Sequence, residues 1–88
     1  MDWYVEWERT AVDFLHELIA GAPDGPELVA TALRINATIK ADAENAGESR
    51  RRRLRILIDS PLAVYSTFEP LSRTAVVREV WRATRPRP

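Results

Sequence analysis

The sequence predicts an α+β fold of order β-α-α-β-β-β: a helical hairpin packed on one face of a four-stranded, mostly antiparallel sheet. Three observations predict it. The first is a change of period. After a short alternating opening, apolar residues recur every three or four positions as far as Ala43, and from Leu54 onward they return in β-type runs. The second is punctuation. Ala22-Pro23-Asp24-Gly25-Pro26 splits the helical half in two, while Asp59-Ser60-Pro61 and Glu69-Pro70-Leu71-Ser72-Arg73 split the second half into three. The third is size: 88 residues, 45% of them apolar, suit one domain spanning the chain with a single core.

Taken in order, Trp3, Val5 and Trp7 alternate with Tyr4, Glu6 and Glu8, which predicts a half-buried first strand. Ala11, Phe14, Leu15, Leu18 and Ile19 then form an amphipathic stripe that Gly21 stops. Asp24 and Glu27 match a capping box, so a second helix is expected from there, with Leu28, Ala32, Ile35 and Ile39 as its stripe and Val29 and Leu33 beside it. It is expected to run into Ala43 and to end near Gly47. In the next strand Leu54, Ile56 and Ile58 are expected to face the helices. Arg53 and Arg55 would then point away, onto the open face of the sheet. Leu62–Phe68 and Thr74–Arg82 supply the last two strands, joined by a hairpin loop. Tryptophans at both ends, Trp3, Trp7 and Trp81, suggest that first and last strands are neighbours sharing a cluster. The tail 83–88, with two arginines and two prolines, is expected to fray.

Composition excludes several chemistries. With no cysteine there is no disulfide scaffold, thiolate zinc site or cysteine nucleophile. The one histidine, His16, cannot build a multi-histidine metal site, and its acidic neighbours Asp13 and Glu17 place it on the solvated side of the first helix. No apolar run is long enough to span a bilayer and no signal-peptide pattern opens the chain, so a soluble, cytoplasmic protein is expected. The three glycines all fall at turns and form no phosphate loop.

A formal net charge of zero conceals two opposed halves. Residues 1–49 hold ten acids and three bases, and residues 50–88 hold ten arginines and three acids. Arginine forks suit phosphate and carboxylate partners. Arg50-Arg51-Arg52-Arg53 and Arg55 put five arginines in six positions. That run reads either as a phosphate- or ribosome-binding edge or as a charged strand entry that blocks edge-to-edge aggregation. Tyr65 reads as a base-stacking ring or as a packed side chain with its hydroxyl at the rim.

Three stretches carry a resemblance to a known family. "WYVEWERTAVDFLHEL", "GESRRRRLRILIDSPLAVYSTF" and "RTAVVREVWR" resemble, in order, the opening strand and helix, the strand–turn–strand core and the final strand of the RelE/ParE superfamily of bacterial type II toxins. The resemblance covers residues 3–82 and implies a toxin held inactive by a cognate antitoxin protein. Its RelE-like branch cleaves messenger RNA in the ribosome without metal or other cofactor, through basic residues on the sheet that stabilise charge as the 2′-hydroxyl attacks. Its ParE-like branch poisons DNA gyrase. By position, the resemblance implies catalytic roles for Arg53, Arg55 and Arg82. The arginine run and the aromatic ring themselves make Arg50, Arg51, Arg52 and Tyr65 the candidate nucleic-acid contacts. A further family arginine falls on Leu62, and the family's C-terminal tyrosine has no counterpart in Arg85-Pro86-Arg87-Pro88. The expected function is therefore a ribosome-dependent mRNA endoribonuclease. The alternatives are a gyrase inhibitor, a non-catalytic nucleic-acid- or protein-binding module, or an inactive toxin homologue.

Overall fold

A computed structural model describes residues 2–83. The chain runs β1 (Tyr4–Trp7), α1 (Arg9–Gly21), α2 (Gly25–Ala41), β2 (Glu48–Arg51), β3 (Leu54–Asp59), β4 (Leu62–Glu69) and β5 (Thr74–Arg82). The expected class holds, with one strand more than the sequence suggested. The five strands lie in the order β1-β5-β4-β3-β2, with β1 parallel to β5 and the other pairs antiparallel.

The extra strand is β2, built from Glu48-Ser49-Arg50-Arg51 and exposed throughout. It pairs with β3 through a hairpin whose two turn residues are Arg52 and Arg53, and a bulge falls between Ser49 and Arg51. Arg52 takes a φ of 27°, a region that asparagine or glycine usually fills in such turns. Gly47 leads into β2 at φ 82°, and a Cβ there would stand 2.1 Å from the carbonyl oxygen of Ile56, so only glycine fits. Helix α2 ends earlier than the periodicity predicts, at Ala41, and Ala43 and Ala46 reach the core from the following turn.

One face of the sheet packs on the two helices. Leu28, Ile35 and Ile39 from α2 meet Leu62 and Val64 from β4 and Ala75, Val77 and Val80 from β5. Fully burying a side chain of this kind stabilises the fold by about 1.5–3 kcal/mol. Trp3 closes one end of this core, edge-on to Phe68 at 6.0 Å, with the Arg73 guanidinium 4.7 Å from its ring. On α2 the buried stripe is Leu28, Thr31, Ile35 and Ile39, whereas Leu33 is 67% exposed. Thr31 sits in the core because its hydroxyl donates back to the Glu27 carbonyl at 2.8 Å.

Three further expectations are corrected. Asp24 precedes α2 but makes no side-chain cap, because its carboxylate binds Arg82 instead. The first and last strands are neighbours, yet the tryptophans do not cluster. Trp7 donates to Asn36 on α2 at 2.9 Å, and Trp81 contacts Tyr65 on the opposite face. Ala83 is not frayed, since its N–H donates to the Pro61 carbonyl at 2.9 Å. The remainder of the expected tail, 84–88, lies outside the described residues.

Candidate nucleic-acid interface

Register decides which side chains reach the open face. Leu57, Val64 and Val80 lie in one row across β3, β4 and β5, and all belong to the helix-facing core. Side chains alternate along a strand, so the rows on either side face the other way. The open face therefore carries Leu54 with Thr67 and Val76, Ile56 with Tyr65, and Ile58 with Ala63 and Trp81. Ile58 is 57% exposed there. This reverses the expected facing of β3: Leu54, Ile56 and Ile58 point away from the helices, and Arg55, Leu57 and Asp59 point towards them. Asp59 proves the point by binding Arg34 of α2 through two hydrogen bonds of 3.1 and 3.0 Å.

The sequence-predicted cations are accordingly spread over the molecule. Arg55 folds back beneath the β2 entry, donating to the Ala46 carbonyl at 3.1 Å and to the Gly47 carbonyl. Arg82 lies opposite Leu62 in a helix-facing row and donates to Asp24 at 2.7 Å. That hydrogen bond holds the Asp24 carboxyl below its ordinary range and raises the Arg82 guanidinium, with desolvation opposing both. Leu62, where the family arginine was expected, is fully buried. Arg53, at the hairpin turn, reaches the open side and binds Glu69 at 2.5 Å. Arg50 stands 3.6 Å from Glu48. Arg51 and Arg52 are exposed and have no ion-pair partner among the described residues.

Tyr65 is half-buried on the open face, its ring tilted 46° to that of Trp81 with centroids 5.0 Å apart. It packs across the sheet on the Trp81 ring, beside a cavity that Thr10, Ala11 and Phe14 of α1 also line. Arg78 is the residue that sequence reasoning missed. It sits in the irregular segment of β5 opposite Tyr65 and Ser66, and reaches Thr67 on the open face at 3.0 Å and Glu8 beyond. Its signal was the interruption Val77-Arg78-Glu79-Val80, which breaks strict alternation and marks a bulge. The interface thus has two parts: an arginine-bearing hairpin tip at one edge, and an apolar, aromatic sheet face with Arg53 and Arg78 at one end.

No protein-family model matches the sequence, and no curated protein does. Among the solved structures that match are two that align along nearly the whole chain. One is the toxin–antitoxin complex RelBE2 from Mycobacterium tuberculosis, with 16% identity, a TM-score of 0.75, and 93% of this chain aligned to 99% of that one. The other is the isolated RelE toxin of E. coli, with 12% identity, a TM-score of 0.60, and 96% of this chain aligned to 87% of that one. The chain therefore has the fold of RelE toxins.

Proposed function

We propose that this chain is the toxin component of a bacterial type II toxin–antitoxin pair, acting in the cytoplasm on messenger RNA at the ribosome and restrained by a cognate antitoxin protein. The observation that carries the reading is the end-to-end fold match to chains described as RelE toxins, one of them in complex with its antitoxin. The hairpin tip supports it. Arg50, Arg51 and Arg52 offer phosphate contacts on an exposed edge, where counterion release supplies affinity. Of the three cations assigned to catalysis by resemblance, Arg53 alone reaches the open side, which supports a contact with RNA there. Arg55 and Arg82 serve indirectly, by holding the β2 entry and the end of β5. In this reading the 2′-oxygen attacks the adjacent phosphorus and the P–O5′ bond breaks, leaving a 2′,3′-cyclic phosphate and a 5′-hydroxyl. Water takes the 2′ proton and supplies one to the 5′-oxygen, while guanidinium groups neutralise the charge that develops.

The test is growth. Induced expression of the wild type should arrest bacterial growth. A variant with Arg50 through Arg53 changed to Ala should fold and leave growth untouched. Arrest by that variant would remove the hairpin tip from the mechanism, and a harmless wild type would overturn the reading. One observation favours a second reading, a gyrase inhibitor: exposed Ile58 with the half-buried rings of Tyr65 and Trp81 makes the open face apolar, which suits a protein target better than a phosphate chain. Arrest with relaxed DNA and intact messages would select it.

A further inference from the structure

A cavity of about 420 Å³ opens on the sheet's outer face where β3 begins, β4 ends and β5 begins. Arg53 and Arg78 enter it from either side, and Thr67, Ser72 and Thr74 bring three hydroxyls between them. It lies at the opposite end of the strands from Leu62 and Arg82. Seven residues of β4 separate the two ends, roughly 23 Å at the rise of a strand. It shares Arg53 with the positions that the toxin resemblance implicates in cleavage, while Arg78, Thr67, Ser72 and Thr74 are additional to them.

We propose that this cavity binds a phosphate group. Two guanidinium groups supply charge-assisted donors, and the hydroxyls can donate to the remaining oxygens. In the unliganded chain the place of the anion is taken by carboxylates. Glu69 receives Arg53 at 2.5 Å and is itself anchored by the Leu71 N–H at 3.1 Å, while Glu8 receives Arg78. The side chains of Arg53 and Glu69 are 56% and 46% exposed, so water competes for this pair and an incoming anion exchanges with it cheaply. Arg78 is also steadied by Thr67 at 3.0 Å, which keeps its fork aimed into the cavity when Glu8 lets go. The assignment deepens the reading above and rests on it only in naming RNA as the source of the phosphate.

The experiment is a titration of the isotope-labelled full chain with inorganic phosphate and with a uridine trinucleotide, followed by amide NMR shifts. Both probes should move the Thr67, Ser72, Thr74 and Arg78 amides together, the trinucleotide at lower concentration. If inorganic phosphate alone moves them, the site stands and its source is a free phosphate. Arg78→Ala should weaken binding about tenfold, the scale of one hydrogen bond to a charged group. Glu69→Gln should tighten it about threefold, while Glu44→Gln, which changes net charge equally on a distant turn, should not. Equal effects of the two glutamine variants, or shifts confined to Arg50–Arg52, or none, would overturn the site. Phosphate binding here beside an intact message on the ribosome would keep the site and remove the toxin mechanism. The reverse pair of results would remove the site alone.

Discussion

Asp24 and Arg82 lie 58 residues apart, and their ion pair ties the start of α2 to the end of β5. Sequence reasoning gave these two residues separate tasks, a helix cap and a catalytic cation, because capping patterns and family positions are both local signals. The pair is a tertiary event, set by the row in which Arg82 falls. It also leaves a measurable trace. The Arg82 hydrogen bond lowers the Asp24 carboxyl from its usual value. A carboxyl lowered in the folded state stabilises the fold above its unfolded value, about 3.9, and the contribution fades as pH drops through the folded value. Below about pH 4 the Tm of the wild type should therefore fall more steeply than that of Asp24→Asn. Parallel curves of Tm against pH would contradict the pairing. Arg55 makes a similar point, since its partners are the carbonyls of Ala46 and Gly47, which no side-chain pattern announces.

Among the elements, α1, β4, β5 and the start of α2 were legible to within a few residues, because apolar runs and turn signals mark them; the end of α2 was expected six residues too late. Strand β2 was not legible, and β3 was legible in its bounds but not in its facing. β2 has no β-branched or aromatic residue, and its hairpin turn of two arginines lacks the usual glycine or asparagine, so nothing local marks it. β3 reads Leu54-Arg55-Ile56-Leu57-Ile58, with apolar residues in both rows, and alternation alone could not say which row meets the helices. A one-residue error there exchanges every side chain between faces. The observed facing makes a sharp prediction for urea denaturation. Leu57→Asp places a charge against the core and should cost about 2–4 kcal/mol, whereas Ile58→Asp on the open face should stay within about 0.5 kcal/mol. The opposite ranking would restore the facing that the sequence suggested.

Across the whole molecule, folding brings part of the opposed charge of the two halves together. Arg78 meets Glu8, Arg82 meets Asp24, and Arg34 meets Asp59, all across the boundary between the halves. What folding leaves uncovered is narrower than composition implied: the arginine tip of the β2–β3 hairpin, and an open sheet face that is apolar in its middle. The fold class and the basic edge were both readable from sequence, since each rests on long runs. The candidate site was only partly readable, since Arg53 and Arg78 converge through register and a bulge. The proposed activity is that of a toxin acting on messages under translation. Its most direct test is primer extension on messenger RNA incubated with translating ribosomes and the purified protein. Cuts should appear only when ribosomes are translating and should disappear when Arg50 through Arg53 are changed to Ala. Messages that stay intact with the wild-type protein would contradict it.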